Sequence, residues 1–352
     1  MVRFFGTIYP MNPKIIATIG PVSENYETLK QMVLEGMNIV RVNFSHATNE
    51  QWLGIKASLE KIKKDTGIDV EMMADLQGPR IRLGVLPHDM KIVKDAVYTF
   101  VLENPDYAKN ELLIDYPDLH KFVKEGDPLF LSNRLVELTV EKVAGKKIFA
   151  KALQDGVVAS RKGINIPKTK IKNSLSKKDK ENAIFTVKNG ARYMSLSFVQ
   201  EAKDMEDLKK LISNNAIGVI AKIERASALD HIDGIIKSSA GIMIARGDLG
   251  IEMPIEELCI IQKNLISHAH QYQKPAIVAT QMLDSMSKNP YPTRAEAADV
   301  AHAVFDGADA TMLSDETAAG NYPVAAVAMM KKIIKRVDEY YNSNNYFEHI
   351  KN

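Results

Sequence analysis

The sequence predicts an α/β fold, a (β/α)8 TIM barrel with a small all-β, barrel-like domain inserted after the third strand. Three observations carry the prediction. Short apolar runs alternate with amphipathic helical stretches, the pattern of repeated βα units around a parallel sheet. The runs number eight, which is the number that closes such a barrel. One interval breaks the rhythm and alternates with the two-residue period of strands instead.

In chain order the strand-like runs are Lys14 to Ile19, Asn38 to Val42, Val70 to Ala74, Arg192 to Leu196, Gly218 to Ile223, Gly241 to Ala245, Ala276 to Ala279 and Ala310 to Leu313. Helical periodicity fills the intervals at Glu24 to Glu35, Glu50 to Lys64, Lys177 to Asn189, Ala202 to Ser213, Ala226 to Ser238, Glu256 to Gln271 and Arg294 to Asp306. Pro323 to Tyr340 supplies the closing helix. Between Arg82 and Pro167 the chain reads as short strands such as Val136 to Val143, with turn signals at Gly126-Asp127, Gly145 and Gly156. The expected organisation is therefore a barrel over 11–81 and 165–342, an inserted β lid over 82–164, and a polar tail over 343–352.

Composition bounds the function. The chain has 352 residues, 45% hydrophobic and 26% charged, enough for a large core without staples. A net charge of +2 gives no broad footprint for nucleic acid or an anionic membrane, so an anionic ligand must be met locally. The lone Cys259 cannot form an internal disulfide, and a reducing, cytoplasmic setting is expected. The first ten residues lack the apolar core of a secretory signal, and Met11 fits a native start. No apolar run approaches the length of a membrane span.

A barrel of this class places its chemistry at the carboxyl ends of the strands, and the polar residues there are dense. Strand two is followed by Arg41, Asn43, Ser45 and His46, and strand three by Asp75, Leu76, Arg80 and Arg82. Lys222 and Glu224 end strand five, and their i, i+2 spacing puts them on one face. Arg246, Gly247 and Asp248 follow strand six, Thr280 follows strand seven, and Ser314 and Glu316 follow strand eight. A Lys-x-Glu alone is ordinarily a weak surface pair. Asn43 and Ser45 can equally be turn or capping residues, Asp75 a loop carboxylate, and His46 a packing histidine. Together, however, the rim cations and acids suit a multiply charged anion and a hard divalent cation held by oxygen, as in phosphate chemistry on Mg2+. No P-loop, kinase glycine loop, His-Glu-x-x-His or cysteine pair is present.

The chain resembles the pyruvate kinase family at Ala17-Thr18-Ile19-Gly20-Pro21, Asn43-Phe44-Ser45-His46, Asn165-Ile166-Pro167 and Ser197-Phe198-Val199. The resemblance continues through Ala245 to Gly250, Ala279 to Met286, Pro292-Thr293-Arg294-Ala295-Glu296, and Met312-Leu313-Ser314 with Glu316-Thr317-Ala318. It implies transfer of the phosphoryl group of phosphoenolpyruvate to ADP, followed by protonation of the enolate to pyruvate. Position by position, Glu224 and Asp248 would bind Mg2+ or Mn2+, and Lys222 would lie beside the transferring phosphoryl group. Arg41 would hold that phosphate with help from Arg82. Thr280 would sit near the methylene carbon, with Ser314 and Glu316 in a relay behind it. Amides of Gly247 and Asp248 would receive the substrate carboxylate, and Asn43 and His46 would meet the nucleotide.

The family's monovalent-cation site would map to Asn43, Ser45, Asp75 and the backbone oxygen of Leu76. Here the usual Asp-Thr-Lys-Gly-Pro-Glu reads Asp75-Leu76-Gln77-Gly78-Pro79-Arg80, and the expectation is that Arg80 stands in for the ion and K+ is not required. Ser132-Asn133-Arg134 replaces the lid's usual Asp-Asp-Gly, while Ala240 and Asp315 replace an aspartate and a glycine beside rim motifs. The family generally continues into a C-terminal domain with an oligomer interface and a sugar-phosphate site. The sequence ends before one, so that route of allostery is expected to be absent, while a homo-oligomer through the barrel stays open. A weakly catalytic or regulatory relative, and a Mg2+-enolate lyase or aldolase, also stay open at this stage.

Overall fold

The computed structural model describes residues 12–167, 175–213 and 216–342. The polar tail and the Met11 start fall outside them. Eight parallel strands close into a barrel: β1 Lys14–Thr18, β2 Ile39–Asn43, β3 Glu71–Leu76, β4 Tyr193–Leu196, β5 Gly218–Ile223, β6 Gly241–Ala245, β7 Ala276–Ala279 and β8 Ala310–Leu313. Each strand pairs with its sequence neighbours in the barrel, and β8 returns to β1 with Lys14 opposite Ala310.

The pleat sends alternate residues inward, and the inward series changes character along the barrel axis. At the middle and amino ends the interior is apolar, filled by Ile16, Ile39, Met73, Ile220, Met243, Ile277 and Met312. Two residues further along, the same faces carry Thr18, Arg41, Asp75 and Lys222. The barrel is thus plugged below and polar above. Ala240, which precedes β6, packs with Tyr193 at the plugged end and does not sit by the rim.

A second, larger apolar layer lies between the barrel and its helices. Trp52, from helix Asn49–Thr66, is fully buried there and donates its indole N–H to the Asn189 carbonyl at 3.2 Å. Capping boxes start the helices at Thr48, Ser176 and Thr293. The stretch expected as one helix over Ala226 to Ser238 is two, Ala226–Leu229 and Ile232–Ser238, because His231 leaves helical dihedrals at φ −121°, ψ 15°. Short helices also follow β6 at Arg246–Glu252 and β8 at Asp315–Ala318.

Between β3 and β4 the chain builds a six-stranded sheet and a two-stranded one, around a separate apolar core that includes Leu83, Phe100, Leu129 and Leu138. The insert leaves and re-enters the rim side by side, for Arg82 bridges Gly163 antiparallel. No helix among the described residues is long and apolar enough to cross a membrane.

The interior plug gives a first expectation. Met243→Ala empties a fully buried position inside the barrel, and denaturant unfolding should show a loss of about 2–5 kcal/mol with an unchanged slope.

Candidate active site

The rim is organised around one carboxylate. Asp75, at the inward-facing end of β3, is 1% exposed and accepts from Arg41 Nε at 2.8 Å, Ser195 Oγ at 2.8 Å and Lys222 Nζ at 3.3 Å. Arg41 also donates through Nη1 to Thr18 Oγ1 at 2.7 Å, and that hydroxyl donates to the Leu313 carbonyl. One acid therefore ties β2, β4 and β5 to β3, and through Arg41 reaches β1 and β8. Burial alone would raise the Asp75 pKa, but the charges of Lys222 and Arg41 outweigh it and hold the carboxyl below its ordinary value of 3.8. Lys222 behaves in mirror image: burial would lower its pKa, and Asp75 and Glu224 raise it instead.

Lys222 Nζ lies 3.0 Å from Glu224 Oε1 and donates to Ser197 Oγ at 2.8 Å. The other Glu224 oxygen accepts from the Phe198 amide at 2.7 Å, which Phe198 presents from a left-handed φ of 58°. Glu224 has a raised pKa, first through burial and then through Asp248 and Asp75. Two acids that repel across one rim form a hard-oxygen donor pair whose charge a divalent cation would relieve, and this donor chemistry fits Mg2+ or Mn2+. Among the described residues no group of three or more His, Cys, Asp or Glu is arranged to hold a metal ion, and the third acid nearby, Asp75, is taken up by Arg41 and Lys222. Arg80 Nη2 reaches Asp248 Oδ1 at 3.3 Å and packs against the backbone of Gly163, where a Cβ would come within 3.2 Å of the guanidinium.

The turn after β7 is strained. Thr280 and Gln281 hold φ of 72° and 53°, left-handed conformations that cost a non-glycine residue about 1–3 kcal/mol each. The turn is clamped from the helix that follows β6: Gly247 N donates to Thr280 Oγ1 at 2.7 Å, and Arg246 Nη2 donates to the Thr280 carbonyl at 3.0 Å. Arg246 is accordingly no rim cation. Its other nitrogen points outward to Asp299 at 2.6 Å, because the helix Arg294–Phe305 offers a carboxylate behind the strand end. Glu316 is 1% exposed, accepts from the Leu283 and Ser314 amides at 3.1 and 2.7 Å, and has its pKa raised by burial.

Other rim residues have local partners. Arg82 Nη1 donates to the Arg161 carbonyl in the insert at 3.1 Å. Asn43 Oδ1 accepts from the Ser45 amide at 3.1 Å, and the Leu76 carbonyl accepts from Ser197 Oγ at 2.7 Å. Beside Arg41 a cavity of about 310 Å³ is lined by Asn43 and His46, with Ile19, Pro21 and Ile55 as its apolar wall and Asp315 at its edge. Ser195, Ser197 and the Phe198 amide join the site without being expected there from the sequence. Their signal was the inward alternation Tyr193, Ser195, Ser197, polar where an apolar filler would be expected.

The fold and rim define a (β/α)8-barrel site of the kind that suits phosphoryl transfer, with buried cations beside two carboxylates. Residues 11–327 match the family model for the pyruvate kinase barrel domain. The chain is 41% identical to a pyruvate kinase of Agrobacterium vitis over 330 residues, 93% of this chain and 69% of that protein. It is also 41% identical to one from Thermococcus litoralis, over 95% of this chain and 71% of the relative. A Clostridium acetobutylicum pyruvate kinase is 39% identical over 95% and 72%. This chain belongs to the pyruvate kinase family.

Asp75→Asn should cost about 3–5 kcal/mol by leaving Lys222 and Arg41 buried without their shared anion. The pH dependence follows from the depressed pKa. The carboxylate's contribution is full above the unfolded value of 3.8 and fades as pH falls through the lower folded value. The stability gap between wild type and variant, measured by chemical denaturation, should therefore be constant near neutrality and narrow below pH 3.8.

Proposed function

We propose that this protein is a cytoplasmic pyruvate kinase, transferring the phosphoryl group of phosphoenolpyruvate to ADP to give pyruvate and ATP. The observation that carries the reading is the gathering of Lys222 and Arg41 by Asp75, with Glu224 Oε1 only 3.0 Å from the lysine. Two preorganised cations in a dry site offset charge on a transferring phosphoryl group without reorganising during the reaction. Arg41 binds the phosphate, and Lys222 sits against its equatorial oxygens. Glu224 and Asp248 would hold Mg2+ or Mn2+, which when bound supplies Lewis-acid stabilisation of the developing enolate oxygen.

Thr280 lies toward the methylene carbon, with Ser314 and Glu316 behind it as a relay. Amide N–H groups at Gly247 and Asp248 face the substrate carboxylate, the first of them exchanging its bond to Thr280 on binding. The cavity lined by Asn43 and His46 is the place for ADP, and Arg82 joins the substrate when the insert closes. The monovalent positions are already engaged: Asp75 by its cations, Asn43 by Ser45, and the Leu76 oxygen by Ser197. That supports Arg80 as a fixed replacement for K+.

The test is pyruvate formation from phosphoenolpyruvate with ADP and Mg2+, which should require both. Replacing tetramethylammonium by KCl should change the rate by less than about twofold, since a guanidinium already supplies the charge, and a large activation would overturn the K+ reading. Lys222→Met should lower phosphoryl transfer by about 10³-fold while Mg2+-dependent exchange of pyruvate methyl protons in D2O stays measurable by NMR, because the metal pair survives. Equal loss of both would contradict this division of labour.

A further inference from the structure

Arg246 spans two worlds that the rim otherwise keeps apart. Nη1 donates to Asp299 at 2.6 Å and Gln262 at 3.4 Å, on the helices outside the barrel. Nη2 donates to the carbonyls of Thr280 at 3.0 Å and Gln281 at 3.4 Å, and lies 2.8 Å from Met282 Sδ. The side chain is 10% exposed. Those carbonyls belong to Thr280 and Gln281, consecutive non-glycine residues in left-handed conformation. Such a conformation persists only when its surroundings over-determine it. The next residue, Gly247, grips the Thr280 hydroxyl with its amide.

We infer that Arg246 is a positioning residue for the proton-transfer half of the reaction: its fork fixes the Thr280 turn against Asp299 and Gln262, and so aims the Thr280 side of the site at the methylene carbon. The inference rests on the role proposed above for Thr280. In that step a C–H bond forms at the methylene carbon as an O–H bond of the donor on that side breaks, and water reprotonates the donor. A lysine keeps the charge at position 246 but cannot bond both ways at once, because it lacks the planar fork.

The experiment compares Arg246→Lys, Asp299→Asn, Thr280→Ala and the Arg246→Lys/Thr280→Ala double variant. The readouts are pyruvate methyl exchange in D2O with Mg2+ and ATP, and kcat and KM for phosphoenolpyruvate. Arg246→Lys should lower exchange and kcat by about 10²-fold, the scale of a misplaced group, with KM nearly unchanged. Asp299→Asn, which leaves the arginine in place, should show the same pattern at about tenfold, and it decides the matter where Arg246→Lys does not fold. The double variant should fall no lower than Thr280→Ala, since residues acting through one another are not additive. Normal exchange in the folded variants, losses that multiply in the double variant, or a change confined to KM would overturn the inference. If Thr280→Ala retains exchange, the role of Thr280 fails and that of Arg246 with it; if it loses exchange while Arg246→Lys and Asp299→Asn do not, only the inference fails.

Discussion

The rim depends on the buried carboxylate of Asp75. Lys222 and Arg41 are both nearly excluded from water, and two cations so placed would repel each other and resist burial without an anion between them. Asp75 supplies that anion and spends its acceptor capacity on groups from strands β2, β4 and β5. The arrangement is at once structural and functional. It closes the polar layer above the apolar plug, and it fixes two positive charges before any substrate arrives.

The strain around this centre follows the same logic. Phe198, Thr280 and Gln281 all hold positive φ, and each strained peptide has a specific partner: the Phe198 amide faces Glu224, and the Thr280 and Gln281 carbonyls face Arg246. Backbone that would relax in an open loop is pinned here by charged groups at 2.7–3.4 Å. Rigid strands below and charge-pinned turns above give a site with little left to organise.

Much of this was legible in the sequence, for identifiable reasons. The eight strands showed because parallel barrel strands are continuous apolar runs bounded by helical periodicity, and their bounds shifted by only one or two residues, as at β3, which runs on to Leu76. Lys222 and Glu224 showed because a period of two puts them on one face. Arg246 misled, because sequence position gives the strand end a residue follows but not the direction its side chain takes, and Asp299, which draws it outward, is distant in sequence. The partner of Arg82 was hidden for a similar reason, being a carbonyl that only the returning insert brings near. The helix break at His231 has Asp230, Asp233 and Gly234 around it but no proline to enforce it, so the helical period reads straight through.

The antiparallel bridge of Arg82 with Gly163 means that the insert is spliced into the barrel through a single seam. None of its strands enters the barrel sheet, and its apolar core is its own. Changes within it, such as the three consecutive left-handed residues Ser132, Asn133 and Arg134, can accumulate without altering the register that aligns Asp75 with Ser195. The closed ring thus sets the alignment of the polar rim through its own hydrogen bonds, and the insert, folded around a separate core, shares none of that pairing.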